Sequence, residues 1–226
     1  MAFLQSQSPR EPFLHAPGSV LGLIAVLAAV HLAVTFLPVP AWLVASLVFT
    51  PVRYASPYIH DMPLADLVVP LFGHQLLHGG WMHLIVNAVW LLAFGPVMAR
   101  RYGGLWFLVF FFLCGAAGAL TELAFAWGSN APMVGASGAV SGLMAAAFRM
   151  MHWPGVPPGV RLVPLWSRSL VLVSVLWLVG NAITGLVGLG LDPADGSVRI
   201  AWQAHMGGYL FGLFAIGAID RLKRSR

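Results

Sequence analysis

The sequence predicts an all-α polytopic membrane protein built from six transmembrane helices. Three observations carry that prediction. Of 226 residues, 59% are hydrophobic and only 8% are charged, where a soluble domain carries about 25% charged residues. The apolar residues gather into six stretches long enough to span a bilayer core, which takes about 20 residues per helix. The basic residues stand mostly at the ends of those stretches, as membrane orientation requires. One domain is the expectation at this length, with lipid covering its outside.

Residues 1–18 are polar and Pro-rich and form a short cytoplasmic segment. No small-residue cleavage site follows the first apolar stretch, so that stretch reads as a retained anchor. The membrane domain is assigned to residues 19–220 and a basic cytoplasmic tail to 221–226. The first span covers about residues 19–37 and ends in Pro38 and Pro40. Residues 39–70 are apolar but broken: 42–49 suit an interfacial helix, while Pro51, Pro57, Pro63 and Pro70 exclude a continuous span. The second span covers about 80–98 and stops at Arg100 and Arg101; the third covers about 105–127. A Gly-Ser-Asn-Ala-Pro turn leads into the fourth, at about 134–151. Residues 152–167 hold Pro154, Pro157, Pro158 and Pro164 and read as a loop. The fifth and sixth spans cover about 169–187 and 200–219.

Orientation follows from the basic residues. With the N-terminus inside, the inner side receives Arg10, Arg100, Arg101, Arg149, Arg161, Arg168, Arg221, Lys223, Arg224 and Arg226. The outer side receives only Arg53 and Arg199, with Asp61, Asp66, Asp192 and Asp195. That bias places both termini in the cytoplasm. The +5 net charge is thus spent on topology, and no basic patch points to nucleic acid. Cys114, the single cysteine, lies in an apolar run and reads as a packing residue.

In this topology the second, fourth and sixth spans all enter from the outside. Their N-terminal ends carry the polar residues that most need explaining: His78, His83 and Asn87, then Ser137, then His205. Polar side chains in spans are costly and face the bundle interior or a water cavity. Ser137 sits in Gly135-Ala136-Ser137-Gly138 near a helix start, where unpaired N–H groups and the positive dipole end suit an oxyanion. A serine hydroxyl is a weak nucleophile and needs a base within hydrogen-bond reach. His205 supplies one. It lies in Ala204-His205-Met206-Gly207-Gly208, and Ala204, Gly208 and Gly212 form a small-residue stripe that permits close helix contact. The fourth span bears a matching stripe of Ser137, Ser141 and Ala145. Tight packing alone would also explain either stripe, so it is the matching depth of Ser137 and His205 that favours chemistry. His83 and Asn87 are four apart on one helix face, and both can donate to an oxyanion. His78 stands where the chain enters that helix and supports the neighbouring loop. His74, His78 and His83 have a spacing suggestive of metal ligands, but no carboxylate or cysteine lies near and no His-Glu-x-x-His occurs. Glu122, near the outer end of the third span, reads as interfacial, and no residue stands out as a triad acid.

These pieces resemble the rhomboid family of intramembrane proteases. The resemblance rests on His78-Gly79-Gly80-Trp81-Met82-His83 with Asn87, on Phe94-Gly95 to Gly103, on Gly135-Ala136-Ser137-Gly138, and on Ala204-His205-Met206-Gly207-Gly208. Each is weak alone; in this order, across about 130 residues, they are specific. The resemblance implies a six-helix bundle with a water-filled cavity open to the external or periplasmic side of a cell membrane, the bacterial inner membrane being the expected one. It implies a Ser–His dyad with Ser137 as nucleophile and His205 as general base, cutting transmembrane-protein substrates without a cofactor. It also implies an oxyanion hole of His83, Asn87 and the Ser137 N–H, with Gly135, Gly138 and Gly208 as structural support. Two positions depart from the family pattern. Ser141 replaces a tyrosine that stacks on the histidine, so His205 is expected to be held by close helix packing instead. Ala99 replaces an acidic residue that ties the helix end to the inner loops. Two other classes remain: an inactive relative that binds transmembrane helices, and a transporter. Retention of Ser137 and His205 argues against the first. The second calls for repeated halves with interrupted helices, and no repeat is present.

Overall fold

The computed structural model describes residues 16–151, 161–187 and 201–224. Arg10, Pro154, Pro157, Pro158, Asp192, Asp195, Arg199 and Arg226, used above for topology and loops, lie outside the described residues. In chain order the helices are α1 (Gly18–Phe36), α2 (Ala41–Leu47), α3 (Leu64–Gly73), α4 (Trp81–Tyr102), α5 (Gly104–Phe125), α6 (Ser137–Met150), α7 (Arg168–Val187) and α8 (Trp202–Arg224). A helix thus occupies each of the six apolar stretches. Four of them, α1, α4, α5 and α7, are long and apolar enough to cross a membrane. Helix α6, of 14 residues, and helix α8 are not among them.

Helix α6 is the centre of the bundle. Val140 through Ala147 are all buried, enclosed by α4, α5 and α8. The small residues explain how three neighbours fit around one helix. A Cβ on Gly208 would strike the carbonyl of Gly138, and one on Gly212 the carbonyl of Gly142. A Cβ on Gly118 would lie 2.6 Å from the Ala204 carbonyl. Backbone therefore meets backbone at these crossings, with a bulkier apolar layer of Phe107, Phe110, Phe111, Leu143 and Ile216 packed beneath. Cys114 fills part of this layer and is fully buried.

Three boundaries differ from the sequence reading. Helix α4 runs past its arginines to Tyr102, because Gly103 alone makes the reversal into α5 at φ 92°, a left-handed conformation that glycine adopts without strain. Helix α6 starts at Ser137 rather than near residue 134, because the preceding stretch pairs with another segment: Phe49 and Met133 exchange backbone hydrogen bonds of 3.2 and 2.7 Å. The connector also contains more helix than its prolines allow by propensity. Helix α3 continues through Pro70, whose missing N–H would leave the Asp66 carbonyl bare. Arg53 donates to that carbonyl at 3.2 Å and to Ala45 at 3.1 Å, while the Tyr54 hydroxyl donates to Leu67 at 2.7 Å. One arginine thus ties α2 to α3.

The tie at the C-terminal end of α4, expected to suffer from Ala99, is made by another residue. Asp220 on α8, 1% exposed, accepts from Tyr102 at 2.9 Å, Arg161 at 3.1 Å and Arg101 at 3.5 Å. A buried carboxylate is tolerated when paired and hydrogen-bonded in this way. Asp220→Ala is expected to lower stability by about 1–3 kcal/mol by stranding these donors, while leaving the reactivity of Ser137 at the opposite end intact. Thermal unfolding with and without the substitution measures it; an unchanged midpoint would show the cluster to be a surface ornament.

Candidate active site

Ser137 is the first residue of α6. The first intrahelical bond there runs from the Val140 N–H to the Ala136 carbonyl, at 2.9 Å. The N–H groups of Ser137, Gly138 and Ala139 therefore have no helix carbonyl behind them, as at any helix start. Gly135, two residues earlier, has φ 120°. Its N–H donates to the His74 carbonyl at 2.9 Å, and a Cβ there would sit 2.6 Å from the His83 ring. Only glycine satisfies both the dihedral and the close approach, so Gly135 brings the serine loop against α4.

His205 lies in the first turn of α8, directly above the Ala204–Gly208 contact with α6. That contact sets the separation. The Ser137 hydroxyl and His205 Nε2 share a 2.7 Å hydrogen bond, joining residues 68 apart in sequence. The other ring nitrogen, Nδ1, is 2.8 Å from the side-chain oxygen of Asn181 on α7. Asn181 in turn donates through Nδ2 to the Trp202 carbonyl at 2.9 Å. His205 is thus held by a hydrogen bond from a third helix, which corrects the expectation that packing alone would hold it. The helices are close, as expected, yet Ser141 turns away from the imidazole: its hydroxyl donates to the Ser137 carbonyl at 2.7 Å.

Helix α4 brings the remaining predicted residues to the same end. The Gly79 N–H reaches His83 Nδ1 in a long 3.4 Å contact, which favours the proton on Nε2, the nitrogen beside Gly135. Asn87 is buried and donates to the His83 carbonyl at 2.8 Å. His78 is buried too, edge to face with His83 at 5.1 Å between centroids. Burial, with the His83 and His31 imidazoles beside it, pushes its pKa down to about 3. Burial likewise lowers His74 to about 4 although its Nδ1 pairs with the Pro70 carbonyl at 2.8 Å. Both rings are therefore neutral at pH 7 and act as apolar-faced supports under the loop. Glu122, expected at the interface, is 6% exposed, so it belongs to the interior of the bundle.

Of the residues that sequence reasoning grouped, Ser137 and His205 stand 2.7 Å apart and the His83 ring lies beside Gly135, while Asn87 bonds within α4 to the His83 carbonyl. Sequence reasoning missed Asn181. The signal was present: Asn181 interrupts an otherwise apolar run, and a polar side chain at such depth is a functional candidate by default.

Chains of similar sequence extend the picture. The Rhomboid domain family model matches residues 66–221, well over half of the chain. Presenilin-associated rhomboid-like protein A, mitochondrial, of Danio rerio is 28% identical over 173 residues, 73% of this chain and 41% of that protein. Rhomboid protease GluP of Bacillus subtilis (strain 168) is 28% identical over 144 residues, 64% of this chain and 24% of GluP. RHOMBOID-like protein 4 of Arabidopsis thaliana is 28% identical over 145 residues, 63% of this chain and 32% of the relative. The chain spans less than half the length of each of these relatives. The family match begins in α3 and ends in the last turns of α8, so it encloses every residue of the site just described: this chain is a member of the rhomboid family.

Proposed function

We propose that this protein is an intramembrane serine endopeptidase that hydrolyses peptide bonds in or near the transmembrane segments of other membrane proteins. The 2.7 Å hydrogen bond between Ser137 Oγ and His205 Nε2 is the observation that carries the reading. A hydroxyl alone does not attack an amide at a useful rate, and an imidazole at this distance can take its proton as the C–O bond forms. Charge then builds on the substrate carbonyl oxygen. The unpaired N–H of Ser137, with His83 and Asn87, would supply donors to it. His205 returns the proton to the leaving amine, and water repeats the sequence on the acyl-enzyme.

In this reading α1, α4, α5, α6, α7 and α8 all cross the bilayer, α6 as a short central span, with both termini cytoplasmic and the site opening outward. The length of α6 supports a recessed site. Fourteen residues rise about 21 Å at 1.5 Å each, against a hydrocarbon core of roughly 30 Å. Ser137, at the outer end of this central helix, would then lie below the outer surface, at the depth of a substrate helix end. The cell membrane, and in a bacterium the inner one, is the compartment proposed. GluP, a relative named as a protease, supports the activity, while binding of transmembrane helices without cleavage is the competing reading.

The test is direct. Purified protein in vesicles is expected to cut a single-span substrate and to be labelled by a fluorophosphonate at Ser137. Binding of the substrate with neither cleavage nor labelling would favour the inactive alternative. Within the same assay, Asn87→Ala is expected to lower kcat by about 10²-fold, the loss typical of one oxyanion donor among several, with KM nearly unchanged. A large rise in KM at constant kcat would move Asn87 to substrate docking.

A further inference from the structure

We infer that Asn181 is a positioning residue for His205, so that the Ser137–His205 pair is oriented from a third helix. The inference rests on the proteolytic reading for its kinetic consequence but not for its structural one. Its basis is the direction of three consecutive hydrogen bonds. A side-chain amide has one donor end and one acceptor end, and here the surroundings decide which is which. The Trp202 carbonyl can only accept, so it takes the Nδ2–H of Asn181 at 2.9 Å. That leaves Oδ1 facing His205 Nδ1 at 2.8 Å. An amide oxygen can only accept, so the proton of the neutral imidazole must sit on Nδ1. Nε2 is then the bare lone pair, 2.7 Å from the Ser137 hydroxyl, which is the tautomer a general base requires. Flipping the amide would set its oxygen against the Trp202 carbonyl, two acceptors face to face, so that contact fixes the amide's orientation.

The same bond serves the next step. When Nε2 accepts the Ser137 proton, the ring becomes an imidazolium whose Nδ1–H still donates to Asn181 Oδ1. Nε2–H is then free to deliver its proton to the departing amine. Asn181 takes no proton at any stage; it fixes ring rotation and tautomer, the role held by the third member of other such constellations. Its platform is firm. One stretch of α7 further along, the Ser174 and Tyr209 hydroxyls share a 2.7 Å hydrogen bond, and Trp177 stacks on Tyr209 at 4.6 Å between centroids. Gly185 leaves the space into which Trp202 packs. Helix α7 is therefore registered on α8 above and below Asn181. With Ser141 in place of a ring beside the histidine, this bond and the one to Ser137 orient the imidazole.

The test combines a spectrum and a rate. In protein carrying ¹⁵N-histidine, with His205 assigned by its loss in His205→Gln, the wild type is expected to show a protonated Nδ1 and a bare Nε2 at neutral pH. Asn181→Leu, similar in volume but without an acceptor, is expected to give a mixture of tautomers. In cleavage assays the same variant is expected to lose about tenfold or more in kcat with KM within about twofold. Asn181→Asp, which keeps the acceptor at Nδ1 but loses the donor to the Trp202 carbonyl, is expected to restore the tautomer and recover part of the loss. A wild-type ring protonated on Nε2, or an Asn181→Leu variant with wild-type tautomer and kcat, would overturn the inference. Should Asn181→Leu fail to fold, the wild-type spectrum and the Asn181→Asp rate remain decisive. If the tautomers behave as expected but the wild type cuts nothing, the positioning contact stands and the proteolytic reading falls.

Discussion

Ser137→Ala and His205→Ala are each expected to reduce cleavage of a single-span substrate by at least about 10³-fold, to background, and the double variant to be no worse than either. The non-additivity follows from the geometry. His205 Nε2 makes its 2.7 Å contact with the Ser137 hydroxyl, so once the hydroxyl is gone the ring has no proton to take. Once the ring is gone the hydroxyl has no base. Residues that act as one unit lose their function together. Two independent groups would instead multiply their losses. Folding should survive both substitutions, because neither side chain fills the apolar layer beneath, and thermal unfolding of each variant checks that. Steady cutting by Ser137→Ala would remove the serine from the reaction; a double variant clearly slower than both singles would break the pair.

The residues of this pair were readable from the sequence because both stand in small-residue stripes at the N-terminal ends of apolar helices, where few explanations compete. The long helices were readable for the same reason: lipid demands runs of apolar residues that composition exposes. What stayed hidden depends on contacts between distant segments. Pro70 argues against helix by propensity, and only Arg53, 13 residues upstream of the Asp66 carbonyl, offsets the missing hydrogen bond. Ala99 looked like a lost tie because the compensating carboxylate, Asp220, is 118 residues beyond its partner Tyr102. Ser141 looked like a missing support for His205, and the replacement comes from α7 rather than from any neighbour of Ser141 along α6. In each case the local sequence registers a deficit whose remedy lies on another helix. Asn181 alone carried a local signal, as an amide in an apolar run.

Gly208→Ala is expected to be the most damaging single methyl in the protein. The added Cβ would strike the Gly138 carbonyl and come within 3.2 Å of the Cys114 carbonyl. Both obstacles are backbone, on α6 and α5, and neither can rotate aside as a side chain can. Helix α8 must therefore back away from the centre of the bundle, at a cost of about 3 kcal/mol, the upper range of overpacking. The displacement carries His205 with it, since that residue stands less than one turn before Gly208. A misplacement of about 1 Å between reacting groups costs on the order of 10² in rate, so cleavage should fall at least that far even in the fraction that folds. Two other glycines calibrate the result. Gly217 on the same helix meets only the Arg149 guanidinium, at 3.3 Å; yielding there disturbs its bond to the Leu213 carbonyl but moves no backbone, so Gly217→Ala should be milder than Gly208→Ala. Gly180, next to Asn181 on α7, has nothing within 4 Å, and Gly180→Ala should be neutral or stabilising by about 0.5 kcal/mol through helix propensity. Unfolding midpoints and cleavage rates of the three variants give the ranking. Equal behaviour of Gly208→Ala and Gly180→Ala would mean that α6 and α8 do not meet backbone to backbone, and the contact that sets the Ser137–His205 distance would have to be sought elsewhere.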